Sequence, residues 1–219
     1  MNQKLSNVKH IWWDLDDTLY PFNQEFHDKK IKVMVAEFAR LKGIPVEEAE
    51  KQFKQAMKKY KSSAETFKNI FDKPNYYAQQ IQGYVDRAEY IKYNPELVEF
   101  FRNFLKKHPA IKHSIISNSL LSQIKLTLRI LKLPEEWFAN LASSEHIGAS
   151  KPNEKIYKTM IDLSGLKPGE IAYVGDREEV DIIPAKKLGI VTILVSDGGI
   201  NSQADFKVDS VYDILELFD

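Results

Sequence analysis

The chain predicts an α/β fold: a parallel sheet covered by helices on both faces, interrupted by an all-helical insert. Three observations carry this. From residue 96 onward, short apolar runs alternate with amphipathic stretches, the pattern of strand–helix–strand units. One further apolar run, VKHIWWD at 8–14, stands alone near the start and suits a buried strand. Between the two, residues 20–95 show only helical spacing. The first strand therefore belongs to the sheet of the second half, and the helical block is inserted just after it.

The insert opens with Ile31, Met34, Val35, Phe38 and Leu41 at three- and four-residue spacings, and Gly43 follows as a helix terminator. Pro45 suits a first helical turn, and Val46, Ala49, Phe53, Met57 and Tyr60 keep the period. Ser62 and Glu65 have capping-box spacing ahead of Phe67, Ile70 and Phe71. Pro74 opens a fourth stretch through Tyr77, Ile81, Val85 and Ala88, weakened by Gly83. After YNPE (93–96), a helix around Leu97, Phe101 and Leu105 leads to a strand at 111–117. A helix over about 120–131 precedes a short strand at 140–144. Another, at 153–164, stops at Gly165 and feeds a strand at 171–176. A helix through Ala185 and Leu188 ends at Gly189, before a strand at 191–196. No internal repeat or low-complexity tract interrupts the series.

Among the 219 residues, 31 are basic and 31 acidic. A nucleic-acid binder that works by neutralising phosphates normally carries a basic excess, so nucleic acid is not an expected partner. The absence of cysteine excludes disulfides, thiolate catalysis and Cys-ligated zinc. The first ten residues lack the apolar stretch of a signal peptide, and no apolar run approaches the roughly 18 residues needed to cross a bilayer. A cytoplasmic protein with no membrane partner is expected; oligomeric state is not encoded in any pattern here. Residues 20–95 hold 14 Lys/Arg and 10 Asp/Glu, a balance of +4 against −4 for the remainder. That difference is compatible with an anionic ligand between the two parts, although solvated helix faces account for most such charges.

In open parallel sheets, ligands bind beyond the carboxyl ends of the strands, near a topological switch point. The polar residues at those ends form a short list. Asp14 and Asp16 follow the first strand, Ser117 and Asn118 the second, and Asp176 the fourth. Lys151 lies in the loop after the third, with Asp181 five residues beyond Asp176. Each alone reads as a turn or a helix cap. Together, in this order and all on one rim, they point to chemistry. Converging carboxylates favour a hard divalent cation, Mg²⁺ being usual where phosphate is also bound. Asp14 and Asp16 are two apart, so in an extended segment both side chains face the same way. One can attack while the other handles the proton, which splits a difficult displacement into two easier ones. Lys151 would hold Asp14 and the phosphoryl oxygens against mutual repulsion. A unit charge pair at about 4 Å in an effective dielectric of about 20 is worth roughly 4 kcal/mol.

The segments DLDDTLYP, ISNS, KP and VGDREEVDIIPAKKLG resemble the four motifs of the haloacid dehalogenase-like hydrolases, in the right order. The resemblance implies a Rossmann-like core at 1–19 and 96–219 and a C1-type helical cap at 20–95. It implies an aspartyl-phosphate mechanism with Asp14 as nucleophile, Asp16 as general acid/base and Lys151 as charge stabiliser. Ser117, Asn118 and Lys151 would bind the phosphate. Asp14, Asp176 and the backbone carbonyl of Asp16 would hold Mg²⁺, with Asp181 orienting the metal site from behind. The expected substrate is a small phosphorylated metabolite: a nucleotide, a sugar phosphate or phosphoglycolate. Asp17 stands where glycine is frequent in the family, Ser117 where threonine often stands, and Ser119 where glycine often follows. Asp17 is read as a structural residue that caps the following turn.

Other readings are weaker. A haloacid dehalogenase shares the nucleophile but usually lacks an acid two residues later, so Asp16 favours phosphoryl transfer. A phosphomutase differs only in what accepts the phosphoryl group. A receiver domain carries no large helical insert. Tyr20, Phe22, Phe26 and the Tyr76–Tyr77 pair are aromatic candidates for the substrate pocket.

Overall fold

The computed structural model describes residues 3–73, 76, 82–198 and 201–219. Six parallel strands form one sheet: β1 (His10–Trp13), β2 (Lys112–Ser117), β3 (Asn140–Ser143), β4 (Ile171–Gly175), β5 (Val191–Val195) and β6 (Phe206–Val208). Their order is β3-β2-β1-β4-β5-β6. β1 lies in the middle, and all four of its residues are buried. That is why its sequence is apolar without alternation: a parallel sheet is covered on both faces. Trp12 packs on one face with Tyr157, Met160 and Tyr173. Trp13 packs on the other, edge-on to Phe101 at 5.3 Å and donating from Nε1 to His113 Nδ1 at 3.0 Å. The tryptophan pair is core, one ring for each layer.

The chain leaves β1 toward β2 and leaves β4 toward β5, so β1 and β4 flank the switch point. The residues just after those two strands sit in the crevice between diverging connections.

The segment after β1 is helical, as its spacing predicts. Helix α1 (Gln24–Lys42) is capped by Asn23, whose side chain accepts from Phe26 N at 2.9 Å. It ends at Gly43 in the left-handed conformation, φ 67°. Helix α2 (Val46–Tyr60) follows, with Pro45 at its N-cap. Helix α3 (Ser63–Phe71) starts at Ser62, whose hydroxyl accepts from Glu65 N. These helices build an apolar cluster distinct from the two that cover the sheet, with Phe38 at its centre between Phe53 and Phe71.

The fourth predicted stretch differs. Pro74, Tyr77 and Ile81 lie outside the described residues, and Val85 and Ala88 do not share a continuous helix. A 3₁₀ turn at Gln82–Tyr84 gives way to one helical turn, α4 (Arg87–Tyr90), capped by Asp86. Gly83 is the physical reason, since it weakens any helix that crosses it. Helix α5 (Pro95–Lys107) then buries Leu97, Phe100, Phe101 and Phe104. Helix α6 (Leu121–Leu131) links β2 to β3, and the short α7 (Ser144–Ile147) follows β3. Helix α8 (Glu154–Ser164) leads to β4. Beyond β4, a π-helical turn at Glu178–Ile182 precedes α9 (Ile183–Lys187), so the predicted helix there opens wider than an α-helix. Strand β6 and helix α10 (Ile214–Phe218) complete the chain. No helix among the described residues is long and apolar enough to cross a membrane.

Candidate active site

The carboxyl ends of β1, β2 and β4 and the loop after β3 meet at one cavity of about 340 Å³. Asp14, Asp16, Ser117, Asn118, Lys151 and Asp176 line it. Asp181 lies just behind them.

Lys151 is the fixed point. Its side chain is 1% exposed, and Nζ sits 2.8 Å from Asp14 Oδ1 and 2.7 Å from Asp181 Oδ1. The Tyr173 hydroxyl is 2.9 Å away. Burial disfavours a charged amine, but the two carboxylates outweigh it and raise the lysine pKa. The loop that carries it is held by Asn118, whose Oδ1 accepts from Lys151 N at 2.7 Å and whose Nδ2 donates to Lys151 O at 3.3 Å. The Asn118 side chain therefore engages the lysine's own backbone.

Asp181 is buried and multiply bonded, accepting from Tyr173 OH at 2.8 Å and from Arg177 N at 3.1 Å as well as from Lys151. It reaches the strand end because β4 closes with glycine. A Cβ on Gly175 would stand 2.5 Å from the Asp181 Cβ. Only glycine admits that approach.

Asp14 and Asp16 have opposite surroundings. Burial, with Asp181 and Asp176 nearby, raises the Asp14 pKa well above the ordinary carboxylate value despite Lys151. Burial acts on Asp16 too, yet Arg87, Lys30 and Tyr20 hold its pKa well below that value. Asp16 Oδ1 accepts from Arg87 Nη1 at 2.5 Å and from the Tyr20 hydroxyl. Its Oδ2 accepts from Ser119 Oγ at 2.8 Å and from Ser117 Oγ at 3.3 Å. Two carboxylates separated by one residue thus belong to different networks.

Carboxylate oxygens of Asp14, Asp176 and Asp181 lie within 4.8 Å of one another. An all-oxygen set of this kind fits a hard cation such as Mg²⁺. Burial first, then Asp181, lifts the Asp176 pKa to about 6, against the opposing pull of Arg177 and Lys151. Of the three, Asp14 and Asp176 face the cavity, whereas Asp181 is turned to Lys151 and Tyr173. The Asp16 carboxylate lies outside this group.

Asp17 has φ 64°, in the left-handed region. That explains glycine's frequency at this place, since few side chains tolerate such a backbone. Its contribution to the turn is this conformation. Among the aromatic candidates, Phe22 and Phe26 line the cavity. Tyr20 is buried and directs its hydroxyl to Asp16. Tyr76 instead bonds Glu37 and Arg40 on the insert, and Tyr77 lies outside the described residues.

Sequence reading gave no role to Arg87, Lys30 or Arg177, and marked Ser119 only as a departure from the family's usual glycine. Arg87 and Lys30 sit in helical segments where a lone basic residue looks like any solvated charge. The insert also touches the core directly. Lys61 Nζ lies 2.5 Å from Glu179, and Ser150 Oγ lies 3.2 Å from both Ser62 Oγ and Glu65 Oε1.

Named relatives align over nearly the whole chain. It is 25% identical to a glyceraldehyde 3-phosphate phosphatase of Methanopyrus kandleri, over 96% of this chain and 97% of that one. It is 27% identical to a protein of the same name from Methanocaldococcus jannaschii, over 96% of each. A haloacid dehalogenase-like phosphatase from Thermococcus onnurineus superimposes with a TM-score of 0.68 at 21% identity, covering 96% of this chain and 97% of that one. The family model of the haloacid dehalogenase-like hydrolases matches residues 8–189, which span β1 to the end of the helix after β4. The chain belongs to the haloacid dehalogenase-like hydrolases.

Proposed function

We propose that this hydrolase is a Mg²⁺-dependent phosphatase of a small phosphate monoester and works through an aspartyl-phosphate. The observation that carries the proposal is the geometry at the end of β1, where Asp14 pairs with the buried Lys151 beside Asp176 while Asp16 meets the hydroxyls of Tyr20, Ser117 and Ser119. Asp14, beside Lys151 and the acidic group, suits a nucleophile. Asp16, engaged with hydroxyls and Arg87, suits a proton carrier.

In the first step, an Asp14 oxygen attacks phosphorus, the bond from phosphorus to the ester oxygen breaks, and the departing oxygen takes a proton from Asp16, which must be protonated for this step against the pull of Arg87, Lys30 and Tyr20. A water molecule then attacks phosphorus and gives a proton to Asp16. The bond from phosphorus to Asp14 breaks, and inorganic phosphate leaves. Lys151 stays in place throughout and neutralises charge on Asp14 and the phosphoryl oxygens. The Ser117 hydroxyl, Lys151 and Asn118 bind the phosphoryl group, Asn118 chiefly by holding the lysine loop. Asp14, Asp176 and the backbone carbonyl of Asp16 would hold Mg²⁺, with Asp181 steadying the arrangement through Lys151. When bound, the ion supplies charge neutralisation to the clustered acids and the phosphoryl oxygens.

The cavity supports a small substrate. At about 340 Å³ it sits at the low end of ligand pockets, which suits an ester of a few carbons. Phe22, Phe26 and Met34 give it an apolar wall opposite the acids. A triose phosphate of the glyceraldehyde 3-phosphate type is the first candidate, since relatives carrying that name align over nearly the whole chain. Residues 20–95 act as a lid on a core of 1–19 and 96–219, held shut by the Lys61–Glu179 and Ser62–Ser150–Glu65 contacts. A phosphoaspartate must be shielded as it forms and then exposed to water, which such a lid provides.

A phosphate-release screen over triose phosphates, phosphoglycolate, sugar phosphates and nucleotides, with Mg²⁺ and with chelator, tests the proposal. Turnover of a short ester that chelation abolishes and Mg²⁺ restores is the expected result. Full activity in chelator, or halide release from haloacids without metal, would establish the dehalogenase reading instead.

A further inference from the structure

We infer that Arg87, on the crossing that returns the chain from the insert to the sheet, is the positioning residue for Asp16. The inference rests on the reading of Asp16 as the proton carrier and adds to it the group that sets its geometry. Arg87 is 4% exposed although it lies on a helical turn of only four residues. Its guanidinium serves several partners at once. Nη1 reaches Asp16 Oδ1 at 2.5 Å and Thr127 Oγ1 at 3.1 Å, and Nη2 reaches Ser119 Oγ at 2.6 Å. Ser119 in turn donates to Asp16 Oδ2 at 2.8 Å. Guanidinium, hydroxyl and carboxylate close a ring, so both Asp16 oxygens are fixed from one side.

This arrangement uses what distinguishes arginine. A planar fork holds two partners in a set relation, whereas an ammonium group acts as a single point. A buried ion pair is a poor stabilising device, because desolvating both charges offsets most of their attraction. Here Arg87 is buried and Asp16 only partly so, at 4% and 23% side-chain exposure, and the contacts hold the carboxylate in one orientation. Lys151 stands to Asp14 as Arg87 stands to Asp16. The two cations come from opposite parts of the chain, one from the core and one from the insert's return crossing. A proton carrier must come within hydrogen-bond reach of the departing oxygen, and a misplacement of about 1 Å costs on the order of 10²-fold.

The test compares two esters that differ in their need for a proton. A 4-nitrophenolate leaves unaided, whereas the alkoxide of an alkyl phosphate such as glycerol 3-phosphate needs protonation as it departs. Comparing kcat/KM confines the reading to steps through phosphoryl transfer to Asp14. Arg87→Gln should lower kcat/KM for the alkyl ester at least about 10-fold more than for the aryl ester, in the same sense as Asp16→Asn. Arg87→Lys should recover part of that difference. Ser119→Ala removes one hydroxyl from the ring and should give a smaller selective loss, which keeps the test available if Arg87→Gln fails to fold. An equal loss on both esters would make Arg87 a structural residue and overturn the inference. If Asp16→Asn itself shows no selectivity between the esters, the proton-carrier reading falls, and this inference falls with it. If Asp16→Asn is selective while the Arg87 and Ser119 variants are not, only the positioning role is lost.

Discussion

Asp14 and Asp16 share a strand end, yet substitution should affect them differently because their partners differ. Asp14→Asn removes the proposed nucleophile and one of the two carboxylates that compensate Lys151. Turnover should vanish while circular dichroism and cooperative unfolding persist, since Asp181 remains on the lysine. Asp16→Asn keeps Asp14 in place and should slow turnover by about 10²–10⁴-fold. Substantial activity in Asp14→Asn would remove covalent catalysis through that residue. Lys151 is the harder case. Lys151→Met leaves two buried carboxylates without their cation, and breaking a buried pair from one side costs roughly 3–5 kcal/mol. Urea unfolding at neutral pH should show that loss, and Lys151→Met with Asp181→Asn should recover part of it. A double variant no more stable than Lys151→Met would mean that the Asp181 carboxylate is compensated elsewhere.

At the scale of single elements, the end of β4 decides whether the site can assemble. A methyl group at position 175 would meet the Asp181 Cβ at 2.5 Å, so either the strand or the π-helical turn must move. Gly175→Ala should lower phosphatase activity at least about 10-fold, with a stability loss within the roughly 1–3 kcal/mol of an overpacked site. Wild-type activity in that variant would show that the π-helical turn relaxes without disturbing Asp181. This element also shows what a sequence makes legible. The motif gives away Asp176 and Asp181, because charge after an apolar run is visible, but not the wide turn that brings Asp181 back under the strand. Strands β1, β4 and β5 are plain because burial on both faces leaves mostly apolar runs, and β2 is legible from Ile115 and Ile116 although His113 and Ser114 are buried beside them. Strand β6 is three residues, too short to carry a period, and its edge position leaves it half exposed. Arg87 was unreadable for a different reason. Its burial depends on a tertiary meeting with Asp16, Ser119 and Thr127, and no local pattern marks it.

Taken whole, the molecule keeps its chemistry and its acid-sensitive groups at opposite ends of the sheet. His10 opens β1 and His113 lies near the start of β2, both buried and far along the strands from Asp14. Burial, aided by Lys112, lowers the His10 pKa to about 4. Burial, aided by His10 and His108, lowers that of His113 to about 3. An unfolded chain binds protons at these rings near about pH 6.5, whereas the folded chain binds them only some units lower. Between those values the unfolded state holds more protons, so stability rises with pH across the window and is lost as pH falls through it. The site acids divide: Asp14 and Asp176, raised, act in the other direction, whereas Asp16 and Asp181, held low, lose their contribution as pH falls, as the histidines do. Asp176, raised to about 6, takes its proton in the folded state first and so favours folding between about pH 6 and 4. The clean measurement is therefore a difference, in which the site carboxylates cancel. Urea unfolding at several values between about pH 7.5 and 4 should give a steeper loss for the wild type than for His10→Gln or His113→Gln. The variants will be weaker at neutral pH, because His10 bonds Ser114 at 2.8 Å and His113 bonds Trp13 at 3.0 Å. Their curves should nonetheless converge with the wild type on acidification, by a few kcal/mol at about pH 4. Parallel curves over that whole range would mean that both rings pick up protons without unfolding, and that acid lability begins among the site carboxylates instead.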